Sequence, residues 1–201
     1  MNVFKRNIIN IFFIFIFFHL SIWTLVPALT NQNLPLDVIE ALAWGSNLDW
    51  GFNKHPPGSA FFVEVFYQIF GSQDWAYYLL SQIFVVISFF YVFKFANEIL
   101  NNYILSLISV FLLVSIFFYN FTTPEFNVNV SQLPFWSLVV YYSWKIFDKK
   151  EIKFIDCLLV GLFAALGFLS KYLFIYLLIS IDLFFIYYIF FKKMIKLDFK
   201  Y

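Results

Sequence analysis

The strongest constraint on the fold is a series of long apolar runs that carry almost no charge. Residues 8–28 contain no Asp, Glu, Lys or Arg, and they follow a basic amino terminus. Hydrophobic residues make up 63% of the 201 residues and charged residues only 12%, which leaves too little polar surface for a soluble protein. An apolar run of about 20 residues can cross a bilayer as a helix. The chain is therefore predicted to be an all-α integral membrane protein.

About six membrane-spanning helices are predicted. The first run is too long for a secretory signal peptide and lacks a convincing cleavage site, so we expect it to be retained as the first span. The predicted spans are 8–28, 75–93, 103–121, 130–147, 155–169 and 172–191. The fifth span is short, and its small residues predict close packing against a neighbouring helix. These residues are Gly161, Ala164, Ala165 and Gly167.

The distribution of positive charge predicts the orientation of the chain. With a cytoplasmic amino terminus, only Lys54 and Lys171 among the 13 Lys and Arg residues lie on the outer side. Positive residues concentrate in the cytoplasmic loops of membrane proteins. The polar segment 29–74, called the long loop below, is therefore expected to face outward. The predicted location is the plasma membrane, which is the inner membrane in a Gram-negative cell.

The long loop is predicted to contain two short helices. Asp37 and Glu40 have the spacing of a capping box at the start of the first of these helices. Pro56 and Pro57 suit the entry to the second helix. The second helix should lie in the membrane interface on an apolar face. The residues of that predicted face are Phe61, Phe62, Val65, Phe66, Ile69 and Phe70.

Several motifs resemble a known group of enzymes. They are Asp37, Trp44-Gly45, Asp49-Trp50-Gly51, Lys54-His55-Pro56-Pro57, Thr123-Pro124-Glu125, Leu133-Pro134-Phe135-Trp136 and the run GLFAALGFLSKY at 161–172. This pattern is similar to that of membrane glycosyltransferases of the C-type fold. Within that fold it most resembles family 39, which includes protein O-mannosyltransferases and lipid A aminoarabinose transferases.

The resemblance implies transfer of a sugar from a polyprenyl-phosphate carrier to a lipid, glycan or protein acceptor on the outer face, with inversion. Such a transfer needs a base for the acceptor's proton, and Asp37 occupies the family's acidic position. The family often has Asp-Glu there, whereas this chain has Asp37-Val38. A cation can stabilise the leaving phosphate, and Lys54 and Lys171 match family positions. The predicted substrate-binding residues are Lys54, His55, Lys171, Glu125 and Trp44.

Each of these residues also has a purely structural interpretation. Helix capping alone would explain Asp37 and Glu40. Either lysine could instead be an interfacial anchor. His55 could bind a divalent metal with Asp37 or Glu125, but a single His is more often a hydrogen-bonded turn residue. No cofactor or metal site is therefore expected.

A transporter and a structural subunit are the alternatives to a transferase. A transporter or structural subunit would place polar groups near the middle of the membrane, where Asp182 is the charged candidate. We expect Asp182 to be protonated and hydrogen-bonded to another helix. Membrane lipid is an expected partner, and nucleic acid is not. Related enzymes are longer, so the chain is expected to be an amino-terminal part that lacks the later spans, with an inactive fragment as the alternative.

Overall fold

The computed structural model describes residues 3–149 and 154–192, and the regular structure of this part is entirely helical, without a β-strand. The α-helices are α1 (Val3–Thr30), α2 (Leu36–Gly45), α3 (Gly58–Phe70), α4 (Asp74–Leu100), α5 (Tyr103–Val114), α6 (Val128–Lys149), α7 (Phe154–Ser170) and α8 (Ile175–Ile186). Two 3₁₀ turns, Phe117–Tyr119 and Tyr172–Phe174, precede α6 and α8, and a π-helical turn, Tyr187–Phe191, extends α8. The predicted all-α class is confirmed.

Three helical segments are long and apolar enough to cross a membrane. They are Lys5–Thr30, Asp74–Leu100 and Tyr172–Phe191, and they correspond to the predicted first, second and sixth spans. A continuous helix satisfies its own backbone hydrogen bonds, which a bilayer interior requires. The chain is therefore membrane-embedded. The apolar helices α5 and α7 are shorter, so crossing of the membrane by α5, α6 and α7 stays a prediction.

The helix in the predicted third span ends earlier than expected. The apolar run reaches residue 121, but α5 stops at Val114. The hydroxyl of Ser115 donates to the Leu112 carbonyl at 2.6 Å, and the amide of Asn120 donates to the Val114 carbonyl. Side chains that bond to nearby carbonyls in this way compete with continuation of a helix. The apolar run therefore ends in a loop that turns back toward α4.

The centre of the bundle is formed by α4, which packs against α1, α5 and α6. Val85 and Phe89 are completely buried there, and the Phe12 ring of α1 stacks on Phe93 with centroids 4.2 Å apart. Stacked and edge-to-face aromatic pairs add specific geometry to the burial of apolar surface. This packing holds the start of α4 and the start of α6 side by side at one end of the bundle, where the long loop lies.

The small residues of α7 pack closely only in part. A Cβ at Gly167 would clash with the ring of Phe174, which folds back over the helix. Gly161, in contrast, has nothing within 4 Å of the position that its Cβ would take. The predicted packing of α7 against a neighbouring helix is met by its contact with α6, but Gly161 faces open space and Gly167 packs on Phe174 of the following turn. The reason is that the two residues lie on different faces of α7.

Helix α3 packs on the bundle through part of its circumference, and the placement of its apolar face in the membrane interface stays a prediction. Val63 is completely buried, whereas Val65 and Ile69 are 55% and 65% exposed. Phe62 lies edge-on to Phe84 of α4, with centroids 4.8 Å apart. Because α3 is apolar around most of its circumference, its periodicity could not identify the face that packs on the bundle.

Asp182 lies on an exposed face of α8, not in the interior of the bundle. It makes no hydrogen bond within the described residues. The expectation that Asp182 bonds to another helix is therefore not met within this part of the chain, because α8 packs lightly on its neighbours and few of its residues are covered.

Candidate functional site

A small cleft lies where the long loop meets the start of α6. Asp37, Glu40 and Trp44 of α2 share one face of the helix, because residues three or four positions apart are neighbours on a helical surface. The residues that line the cleft are Asp37, Glu40, Trp44, His55, Ser59, Asn127 and Val128. Four of the residues predicted or discussed from the sequence, Asp37, Glu40, Trp44 and His55, are thus brought together.

Asp37 is not the N-cap of α2. The helix begins at Leu36 after Pro35, which has an extended backbone and makes no side-chain cap. The Pro35 carbonyl accepts from the backbone N–H groups of Val38 and Ile39 at 3.1 and 3.2 Å, which starts the helix at Leu36. The predicted capping box is therefore wrong. The carboxylate of Asp37, half-buried in the cleft, accepts no hydrogen bond from the described residues.

Glu125 accepts the hydrogen bond that the predicted capping box would give to Glu40. The backbone N–H of Asp37 donates to Oε1 of Glu125 at 3.2 Å. A carboxylate at this position also interacts favourably with the partial positive charge of the helix amino terminus. The side chain of Glu125, a predicted substrate-binding residue, therefore contacts the backbone of the base candidate Asp37.

Glu125 is held in place by buried polar contacts around Thr123. The hydroxyl of Ser81 donates to the Thr123 carbonyl, and the amide of Gln82 donates to the Thr123 hydroxyl at 3.1 Å. All three side chains are completely buried. Because buried polar groups are costly without partners, these bonds anchor the loop that carries Glu125 to α4.

Lys54 forms an ion pair with Glu40. Its ammonium lies 2.6 Å from Oε1 of Glu40, and the two side chains are 59% and 28% exposed. Glu40 therefore binds a cation and does not complete a capping box. The pair places the Lys54 charge beside the cleft, one helical turn from Asp37. An exposed pair of this kind contributes only about 0.2–1 kcal/mol, so it can be exchanged for another partner.

The wall of the cleft contains an aromatic cluster. Trp44 stacks on Phe52 with centroids 5.1 Å apart and planes 11° apart, and His55 lies edge-on to Trp44 at 6.0 Å. A backbone hydrogen bond of 3.1 Å from Phe52 to the His55 carbonyl closes the turn. Trp50 points elsewhere: it is 78% exposed and contacts Phe61 outside the cleft. Within the described residues, His55 belongs to no group of three or more potential metal ligands.

Lys171 reaches the same end of the bundle from α7. Its ammonium donates to Oδ1 of Asn129, two residues after the cleft residue Asn127. The backbones of the long loop and the end of α7 are also in contact: a Cβ on Gly58 would lie 2.6 Å from the Leu169 carbonyl oxygen. The predicted Lys171 is therefore near the cleft but does not line it.

Ser59, Asn127 and Val128 line the cleft although none of them belongs to the motifs that carry the resemblance. Asn127 had a recognisable signal, because Asn directly before an apolar run is a favoured N-cap. Its Oδ1 accepts hydrogen bonds from the backbone N–H groups of Asn129 and Val130 at 2.9 and 3.2 Å. Ser59 and Val128 had no such signal, since only the packing of α3 against α6 brings them to the cleft.

Comparison with known proteins identifies the family. The sequence profile described as dolichyl-phosphate-mannose-protein mannosyltransferase matches residues 54–201, which includes Lys54, His55, Glu125 and Lys171. Asp37 and Trp44 precede the matched segment. No curated protein and no solved structure matches the chain. The profile covers well over half of the sequence, and the chain therefore belongs to the dolichyl-phosphate-mannose-protein mannosyltransferase family.

Proposed function

We propose that the protein transfers a sugar from a polyprenyl-phosphate carrier to a hydroxyl acceptor at the outer face of the plasma membrane, with inversion. The observation that carries the proposal is the placement of Asp37. Its carboxylate faces the cleft without a capping bond, while Glu125 accepts from the Asp37 backbone N–H at the helix amino terminus. A carboxylate that is positioned by its helix and free to accept a proton suits a general base.

In the proposed reaction, Asp37 accepts the proton of the acceptor hydroxyl as its oxygen forms a bond to the anomeric carbon. The bond from that carbon to the phosphate oxygen breaks on the opposite side, and the electron pair leaves with the phosphate. The charge that develops on the leaving group needs nearby cations. Lys54 and Lys171 supply them from the two segments that meet at Gly58.

Lys54 exchanges partners in this proposal. Before the donor binds, Glu40 neutralises Lys54 and holds it near the cleft. The donor phosphate then displaces Glu40, because a phosphate carries more concentrated charge and more acceptor oxygens than a carboxylate. Trp44 and His55 line the wall against which the sugar would lie. Aromatic faces of this kind provide apolar surface beside the polar groups of the cleft.

The donor and acceptor are proposed by class. The family description names a dolichyl-phosphate-linked mannose as donor and a protein as acceptor, so polyprenyl-phosphate mannose is the first donor to test. The outward orientation rests on the distribution of Lys and Arg residues. Only Lys54 and Lys171 fall on the predicted outer side, where the cleft lies. The carrier lipid lies in the membrane next to the end of the bundle that holds the cleft. The transfer reaction therefore needs no cytosolic nucleotide sugar.

The decisive test compares Asp37→Asn with the native chain in lipid nanodiscs. Asn has nearly the shape of Asp but accepts no proton at neutral pH, so transfer from polyprenyl-phosphate mannose to a peptide or lipid acceptor should fall at least 100-fold. Donor binding should persist within about threefold, since the phosphate contacts are to the lysines. Transfer by Asp37→Asn at the native rate, or donor binding by the native chain without any transfer, would contradict the proposal.

A further inference from the structure

The first turn of α3, Gly58–Ala60, is buried but has no cap. All three of its residues are buried, and Pro57, which precedes them, makes no side-chain cap. The N–H of Phe61 donates the first hydrogen bond of the helix to the Pro57 carbonyl at 2.9 Å. The N–H groups of residues 58, 59 and 60 make no hydrogen bond to any described residue. A buried helix end without acceptors is unfavourable, so this turn points to a bound group that supplies them.

The hydroxyl of Ser59 is a further polar group of this turn without a partner. Ser59 lines the cleft, and only 2% of the residue is exposed. Its hydroxyl makes no hydrogen bond within the described part of the chain. A buried hydroxyl that lacks a partner costs free energy. Because Ser59 is part of the cleft wall, the missing partner is a group in the cleft. Three N–H groups and one hydroxyl together favour a ligand with several acceptor oxygens.

Two lysines are held near this turn by the segments that adjoin it. Lys54 precedes Gly58 by four residues, and its ammonium is paired with Glu40 of the cleft. Lys171 directly follows the backbone of 169–170, which lies so close to Gly58 that a Cβ there would be 2.6 Å from the oxygen of residue 169. The two cations therefore come from the two segments that meet at the first turn of α3. They add to the partial positive charge of the helix amino terminus.

The carboxylates of the cleft leave this turn as the place for an anion. Asp37 and Glu40 both line the cleft, and both belong to α2. Glu40 is neutralised by Lys54, and an anion that displaces Glu40 gains this cation. Asp37 keeps its negative charge and repels an anion from the start of α2. An anion in the cleft is therefore favoured beside α3.

We propose that the first turn of α3 binds the phosphate of the polyprenyl-phosphate donor, where the identity of this phosphate rests on the proposed function. The N–H groups of Gly58 and Ser59 and the Ser59 hydroxyl donate to phosphate oxygens, and Lys54 and Lys171 neutralise the charge. Helix amino termini bind phosphate because their N–H groups point at the ligand and the helix dipole favours a negative charge. When the bond to the anomeric carbon breaks, its electron pair adds one negative charge to the phosphate. The same donors stabilise that charge.

The test measures binding of a short-chain polyprenyl phosphate to the full chain in phosphatidylcholine nanodiscs. The native chain should bind this probe, and polyprenol, which lacks the phosphate, should bind at least tenfold more weakly. Ser59→Ala should weaken binding of the probe about tenfold, as expected when a hydrogen bond to a charged group is lost. Ser59→Asp should abolish binding by repulsion. Its melting temperature should stay at the native value, because an acidic residue suits the first turn of a helix.

Ser72→Asp is the matched control. It adds the same charge to the long loop beyond the other end of the 13-residue α3, about 20 Å from the first turn. Its affinity for the probe should stay within about twofold of the native value. Native affinity in both Ser59→Ala and Ser59→Asp would overturn the proposal, and so would equal affinity of the native chain for polyprenol and polyprenyl phosphate.

Two further measurements separate this proposal from its alternatives. Phosphatidylglycerol added to the nanodiscs should not displace the probe, and displacement at equal concentration would show a site for anionic lipids in general. Sugar transfer by the native chain is measured in parallel. Loss of affinity in Ser59→Ala, with no transfer by the native chain, would contradict the proposed function and keep the phosphate subsite. Transfer by the native chain, with probe affinity unchanged in both Ser59 variants, would contradict the subsite alone.

Discussion

The backbone N–H of Asp37 donates to the carboxylate of Glu125 at 3.2 Å, across 88 residues of sequence. This bond joins the start of α2 to the loop that precedes α6. It has two effects on the candidate site. It satisfies the Asp37 N–H, which Glu40 would accept in a capping box, and it sets the distance between α2 and the cleft residues of α6.

Replacement of Glu125 tests whether its role is to position Asp37. Glu125→Gln keeps a side-chain oxygen acceptor and should preserve most transfer activity. Glu125→Ala removes the acceptor, which should cost about 0.5–2 kcal/mol of stability and reduce transfer. Melting temperature and transfer rate are measured for both variants. If Gln and Ala abolish transfer equally without lowering the melting temperature, the Glu125 charge acts directly on the substrate.

The Glu40 and Lys54 pair predicts opposite effects on donor affinity. Glu40→Gln frees Lys54 and should tighten donor binding by up to about fivefold, since an exposed pair is worth up to about 1 kcal/mol. Lys54→Ala should weaken it. Donor dissociation constants are measured by titration in nanodiscs. In the double variant, the Glu40→Gln gain should disappear, and a gain that persists without Lys54 would show that Glu40 repels the donor directly.

Contact between the long loop and α7 predicts a strong effect at Gly58. A Cβ at Gly58 would lie 2.6 Å from the Leu169 oxygen and 2.9 Å from the Ser170 nitrogen, and backbone atoms cannot easily move away. Gly58→Ala should therefore destabilise the protein by about 1–3 kcal/mol. The matched control is Gly161→Ala, which meets nothing within 4 Å and should stabilise its helix by about 0.5–1 kcal/mol. Thermal unfolding distinguishes the two, and equal melting temperatures would contradict the close approach.

The proposed orientation predicts the accessibility of engineered cysteines. Cys157 is exposed and is first replaced by Ser. A cysteine at Asn47, in the long loop, should then react with a membrane-impermeant thiol reagent added to intact cells. One at Asp148, near the end of α6, should react only after the membrane is permeabilised. Labelling of the position 148 cysteine in intact cells, with that at 47 protected, would reverse the orientation and place the cleft on the cytoplasmic side.

Two parts of the structure could be predicted from sequence because they depend on local properties. The first, second and sixth spans follow from long apolar runs, since each helix satisfies its own backbone in a membrane. The start of α3 follows from Pro57, which is its N-cap residue, and Gly71 ends it with a positive φ of 64°. A turn at that φ favours glycine.

The sequence alone determined that the chain is a helical membrane protein, and it predicted that the candidate chemistry lies in the long loop. Only the tertiary structure decided which carboxylate is a cap and which is free. Asp37 and Glu40 have the spacing of a capping box, but Pro35 begins the helix, Glu125 satisfies its N–H and Lys54 binds Glu40. The spacing of residues along a helix predicts which hydrogen bonds a side chain could form. The bonds that it makes depend on partners from remote segments, whose positions are set by the packing of α4 and α6.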